Sequence, residues 1–383
     1  MVALALLGCG DEDGSLGYAA FRAAPVADSV VTTASASGFE LHLRLVREYV
    51  DSSAGFGRIT AAAVTSNGTL YLFDASPKGG ESGLFRFAGG ALLPEPLLAR
   101  GSGPGELATH RAVLVPLSDD GLLVADSERL QMLFLDSLGA VVSDLRGQEF
   151  RSNGYWPGRD GGVWLRRVTQ QLGQRVDTIV HLAQDGRISG ATPSPSWTTA
   201  PFGQAEFTPR LSAIVDAAGR FAAAWTDEMR VVYNHDSLLT AWTAPCARVS
   251  LEPEQHRVIT EILEWEVRQT AGPTIRPVVP RLKPCLSELL GFDATGTLWV
   301  LMYGRSRTLP EGEQRFADRL PPEINPYLWE EVERIGRFGP DGHFLGWVDL
   351  GDDEHFLEGR GDRLWVVNEE SNAGSVIREY RIE

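Results

Sequence analysis

Four arginines, Arg58, Arg111, Arg151 and Arg210, stand at matched positions ahead of four glycine-led apolar segments. Guanidinium groups grip carboxylate and phosphate through a two-pronged fork, so four at equivalent points form an anion-binding collar if the chain gathers them. His110 and His355 hold comparable places, and Asp74, Asp126, Asp227 and Glu369 end the segments that follow. Converging imidazoles would suit zinc, and converging carboxylates would suit calcium. Each residue type also has a plainer role: aspartate caps turns, histidine decorates surfaces, and arginine pairs with nearby acids. The glycine-rich run at 101–107 leads into a strand pattern rather than a helix, so it does not cradle phosphate. No GxSxG or HExxH motif occurs, and these residues alone assign no catalytic group and no cofactor.

The segments that would carry these groups recur six times. Each copy has a turn with glycine, a short strand with an aromatic or large apolar residue, and a second strand ending near Asp and Gly. The copies pair 66–74 with 83–93, 119–126 with 130–142, and 159–167 with 177–190; then 216–227 with 229–242, 293–302 with 334–348, and 360–371 with 375–383. A further short strand precedes each turn, as at 58–65 and 211–216. The chain also contains 41 glycines and 22 prolines, spread between apolar runs as turn punctuation. One small sheet buries only one face well, so such copies must stack.

The second copy carries a family resemblance. Gly103-Pro104-Gly105-Glu106-Leu107, then Gly121 to Asp126, Arg129, Phe134-Leu135-Asp136 and Gly139 resemble one NHL repeat, a four-stranded propeller blade. The likeness to NHL and TolB-like propellers covers residues 39–383, though copies three and four are degenerate, with Ala222 where an aromatic would stand. It implies an all-β, six-bladed β-propeller of four-stranded antiparallel blades, its functional residues on one face. Tyr71, Leu123, Trp164, Trp299 and Trp365 fall at matching points and are expected to pack between blades. The sixth copy is one strand short, and the alternating run at 39–50 is expected to pair with it and close the ring. The resemblance also admits a metal-dependent hydrolase or lyase of the gluconolactonase type, with calcium on the channel wall, or of the amidating-lyase type, with zinc.

Two insertions interrupt the rhythm, at about 247–284 and 304–333. In the first, Pro253 opens a helix capped by Glu252, with Val258, Ile259, Ile262, Leu263 and Val267 on one face. The second is expected to hold a short helix after Pro326. In propeller topology both emerge on the same face, over one mouth of the channel.

Leu6-Leu7-Gly8-Cys9 resembles a bacterial lipobox, which implies an exported lipoprotein carrying its lipid on Cys9. Residues 1–9 then belong to the signal, 10–37 form a flexible tether, and 38–383 form the propeller. No run reaches the roughly 18 apolar residues of a membrane span. Cys246 and Cys285 remain, either as a disulfide suited to an oxidising compartment or as two buried thiols. A net charge of −16 disfavours nucleic acid and anionic lipid surfaces as partners. The expectation is a monomeric cell-envelope module that binds an envelope protein or a small anionic ligand without catalysis, its membrane contact limited to the lipid. A sensor acting with a membrane partner is a further reading.

Overall fold

A computed structural model describes residues 26–33, 39–49, 56–75, 82–88, 91–92, 96–101, 103, 106–108, 112–147, 152, 154–171, 174–193, 207, 209–235, 238–246, 248–270, 278–310, 320–321, 324, 326, 328–370 and 374–383. Two strands, β1 (Asp28–Val31) and β2 (Leu43–Tyr49), precede the first blade. Blade 1 comprises β3 (Ile59–Val64), β4 (Leu70–Asp74), β5 (Gly83–Ala88) and two short pieces beside β5, β6 (Ala91–Leu92) and β7 (Leu98–Ala99). Blade 2 runs β8 (Val113–Pro116), β9 (Leu122–Asp126), β10 (Gln131–Leu135) and β11 (Val141–Arg146). Blade 3 runs β12 (Tyr155–Pro157), β13 (Val163–Gln171), β14 (Gln174–Leu182) and β15 (Ile188–Pro193). Blade 4 runs β16 (Leu211–Val215), β17 (Phe221–Trp225), β18 (Arg230–His235) and β19 (Leu238–Thr243). Helix α1 (Pro253–Thr270) follows. Blade 5 runs β20 (Leu286–Phe292), β21 (Leu298–Thr308), β22 (Trp329–Phe338) and β23 (Phe344–Asp349). Blade 6 has β24 (Glu354–Arg360), β25 (Arg363–Glu370) and β26 (Gly374–Ile382) from the C-terminus, and β2 supplies its fourth strand.

The chain is therefore a six-bladed propeller whose ring closes as the pattern at 39–50 required. β2 lies antiparallel to β26, with Leu43 opposite Ile382 and Tyr49 opposite Ile377. Six apolar cores lie between successive blades. Leu122, Val124 and Tyr71 share the core of blades 1 and 2, and Leu298, Val300 and Trp242 share that of blades 4 and 5. Tyr71 and Leu123 are wholly buried, Trp299 and Trp365 nearly so, and Trp164 is partly buried against blade 4, so the matched positions pack between blades. Ala222 is also buried, its missing volume filled by the neighbouring Tyr233 and Trp242 rings.

The Asp–Gly punctuation has a local cause. Asp216 accepts the amides of Ala218 and Arg220, at 2.8 and 2.9 Å, and fixes the turn between β16 and β17. Gly219 in that turn has φ +80° and lies against the Trp164 ring of blade 3, so a side chain there would meet both backbone strain and a clash.

Two expectations are corrected. Residues 28–31, placed in the tether, form β1, a parallel fifth strand on β19. From there Phe39 and Leu41 exchange backbone hydrogen bonds with Trp347 at the edge of blade 5, and the chain continues into β2. The N-terminal segment thus touches the outer edges of blades 4, 5 and 6. The helix expected after Pro326 is instead the start of β22. Trp329, Val332 and Ile335 are buried at a spacing of three, as on a helix, yet Trp329 pairs with Thr308 and Ile335 with Leu301 in the ladder to β21.

Candidate binding site at the channel mouth

The first strands make the inner ring: β3 touches β8 and β24, β8 touches β12, and β16 touches β20. Both insertions lie on the face where the chain enters these strands. Helix α1 buries Val258, Ile259, Ile262, Leu263 and Val267, and Gln255 Oε1 accepts the Glu252 amide at 3.1 Å to close the first turn. This helix face shares one core with Phe207, Trp329, Leu320, Ile324 and Leu328, so segments from two interblade links and from the β21–β22 connection form a single cap. Lys283, 1% exposed, pins it: Nζ donates to Glu331 Oε2 at 2.6 Å, Ser306 Oγ at 2.8 Å and the Gly304 carbonyl at 3.2 Å. Cys246 and Cys285 form a disulfide at the foot of the first insertion. A cleft of about 370 Å³ lies beside it, lined in part by Asp227, Arg230 and Arg248. The disulfide suits an oxidising, extracytoplasmic compartment.

Below this cap, blades 4, 5 and 6 bring together a mixed acid–base cluster. A bulge between Leu286 and Glu288 takes Ser287 out of the ladder of β20, and the freed Ser287 carbonyl accepts Arg210 Nη2 at 3.3 Å. The same bulge aims Glu288, whose side chain is exposed. Protein surrounding the Glu288 carboxyl pushes its pKa up, Arg210 pulls it down, and Glu333 adds a smaller upward push. Glu333 accepts the Phe356 amide at 2.7 Å and meets His355 Nδ1 at 3.2 Å. Glu358, on the same inner strand as His355, is pushed up to about 8, chiefly by burial and further by Asp293; the Gly359 amide and Arg360 oppose the shift.

The structure places the expected residues in different settings. Arg210 and His355 both join the cluster, Arg210 beside Glu288 and His355 beside Glu333. Arg58 is exposed, and its amide donates to Asp74 Oδ1 at 3.0 Å. Asp74 is buried and also accepts the Gly57 amide at 2.9 Å, while Asp126 accepts those of Ala108, Glu128 and Arg129. Both carboxylates thus hold incoming backbone. Asp227 pairs with Arg248 at 2.7 Å. Arg111, Arg151, His110, Cys9 and the Glu369 side chain lie outside the described residues. Among the described residues, no three His, Cys, Asp or Glu side chains are grouped to hold a metal ion, and no helix is long and apolar enough to cross a membrane.

The described residues of the repeat-like run, Gly101, Gly103 and Glu106, are tied into the scaffold. Arg129 donates to the carbonyls of Gly101, Gly103 and Glu106, at 2.6, 3.2 and 2.9 Å, and the Glu106 carboxylate accepts the Gly103 amide. Glu288, Glu333 and Glu358 were missed in the sequence. The only signal for the first was its position just after Cys285, where the insertion returns to the repeat.

No family model and no curated protein matches the chain. Solved structures do. A Bacteroides fragilis protein named for its expected export is 11% identical, with a TM-score of 0.49, over 93% of this chain and 99% of that one. A DUF4221 family member from Bacteroides vulgatus is 10% identical, with a TM-score of 0.45, over 90% and 99%. Virginiamycin B lyase from Staphylococcus aureus is 14% identical, with a TM-score of 0.36, over 89% of each chain. At this level of likeness the chain is placed by its own sheet order, as a six-bladed β-propeller assigned to no family.

Proposed function

We propose that this protein is an exported lipoprotein, anchored through Cys9, whose propeller binds a small carboxylate-bearing ligand without catalysis at the capped channel mouth. The observation that carries the reading is the convergence of Arg210, Glu288, Glu333 and His355 under a cap that the repeat itself does not require. Function concentrates in such departures from a repeated scaffold. Arg210 spends one guanidinium nitrogen on a 3.3 Å bond to a carbonyl and keeps donors for an anion. Arg58, exposed at the start of its own inner strand, is a second contact of the same type.

Binding of N-acetyl amino acids, which are monoanions, tests the site by calorimetry and thermal shift. Saturable binding lost in Arg210→Gln is the expected result, and no binding by any of them defeats the reading. The anchor is tested separately: Cys9→Ala should move the protein from the membrane fraction to the soluble fraction.

A further inference from the structure

The cleft of about 370 Å³ at the foot of the first insertion is lined by both halves of the disulfide, together with Met229, Thr243, Ala244 and Arg248. The two cysteines are unequally covered. Cys285 is 4% exposed, whereas Cys246 is half-buried. A thiolate entering the cleft therefore reaches Cys246 more readily.

Cys285 has a contact that the bridged form does not use. Its Sγ lies 3.1 Å from the Asp227 carbonyl oxygen. That oxygen accepts Arg248 Nη2 at 2.9 Å and has a second lone pair. A bridged sulfur carries no proton to offer it, but a reduced Cys285 thiol does, and it gains a weak hydrogen bond where it already stands. The backbone around both cysteines is also tied independently of the bridge. The Ala244 amide donates to the Met229 carbonyl at 2.9 Å, that of Leu286 to the Thr226 carbonyl at 2.9 Å, and that of Lys283 to the Val249 carbonyl at 2.8 Å. Opening the bridge leaves these ties in place, so the two thiols stay near enough to join again.

We propose that this cleft is a site of thiol–disulfide exchange, at which an external dithiol reversibly opens the bridge by attack at Cys246. The incoming thiolate bonds to Cys246 Sγ, and the Cys246–Cys285 bond breaks with its electron pair on Cys285. The Cys285 thiolate takes a proton from solvent and donates to the Asp227 carbonyl. The second thiolate of the dithiol then attacks its own sulfur in the mixed disulfide and expels the Cys246 thiolate, which is protonated in turn. Two electrons pass to the bridge, leaving two protein thiols and an oxidised dithiol. The step releases one tie at the foot of the cap and leaves the Lys283–Glu331 pair in place.

The test follows the intact, oxidised protein in dithiothreitol, with free thiols alkylated and mapped residue by residue by mass spectrometry. Cys246 and Cys285 should become reactive together, at a rate proportional to dithiothreitol concentration and unchanged by urea below the unfolding transition. The circular dichroism of the folded protein should persist throughout. Reduced glutathione is a monothiol and stalls at the first step, so its adduct should sit on Cys246 in roughly tenfold or greater excess over Cys285. Adding oxidised glutathione after the reductant is removed should close the bridge again. A rate that climbs with urea in step with the unfolding equilibrium would show that the bridge opens only in the unfolded chain. An adduct chiefly on Cys285 would place the attack on the wrong sulfur. Either result overturns the proposal, and neither touches carboxylate binding at the channel mouth.

Discussion

Lys283 and Glu331 meet inside the cap at 2.6 Å, joining the end of the first insertion to a strand that flanks the second. The lysine is 1% exposed, and its other two bonds go to Ser306 and the Gly304 carbonyl. Removing it leaves the Gly304 carbonyl without this donor and the Glu331 carboxylate, still bonded to Ser306 Oγ, without its counter-charge. Lys283→Ala should therefore cost about 3 kcal/mol, measured by denaturant unfolding. Glu331→Gln, which keeps the shape and loses the charge, should also destabilise. A double variant should recover part of the loss, since no single buried charge is then stranded.

The disulfide acts on the same cap from its other side. Cys246 follows blade 4 directly and Cys285 precedes β20, at a sequence separation of 39. In the chain-entropy model such a bridge contributes about 4 kcal/mol by restricting the unfolded chain. Cys246→Ser with Cys285→Ser should lower the melting temperature in oxidising buffer to the value that wild type shows under reductant. Equal melting of wild type with and without reductant would show that the bridge adds no stability.

Ring closure separates the two N-terminal strands. β2 completes blade 6 by a full antiparallel ladder with β26, and Tyr49 also donates from its hydroxyl to Glu379 at 2.8 Å. β1 only adds a fifth strand to a blade already complete. Deleting residues 38–50 internally should destabilise the whole ring, exposing the edge of β26 and lowering the melting temperature sharply. Truncation before residue 34 should cost far less. Calorimetry of the two deletions checks the order, and equal losses would contradict it.

The blades were legible because turn chemistry and apolar runs repeat together, and the missing sixth-blade strand pointed directly to residues 39–50. The helix face of α1 and the cysteine pair were legible for similar local reasons. Residues 28–31 were not, since four residues in a polar setting become a strand only because β19 offers an open edge. The candidate site was legible in part. Arginines and histidines are few enough for matched positions to stand out, whereas Glu288 is one of 51 acidic residues in the chain. What distinguishes it is the bulge at Ser287, a product of the β20–β21 pairing that leaves no periodic trace in either strand.

The raised pKa of Glu358 should give the stability of the fold a pH dependence. Its carboxyl sits on the inner strand β24, partly reached by solvent yet surrounded by protein, and burial raises its pKa from 4.5 to about 8. The folded protein therefore holds this proton more tightly than the unfolded chain does. The stability it contributes is fully present below about pH 4.5 and is lost as pH rises through the folded value near 8. Other carboxylates, such as Asp144 beside Arg146, have lowered values and lose their contribution in acid, so the comparison must be made against a variant. Glu358→Gln should remove the decline between pH 5 and 8 and stabilise the protein at pH 8 by up to about 4 kcal/mol, with little effect at pH 4.5. Denaturant unfolding of both proteins across this range measures the difference. A constant gap at all pH values would show that folding leaves the Glu358 pKa unshifted.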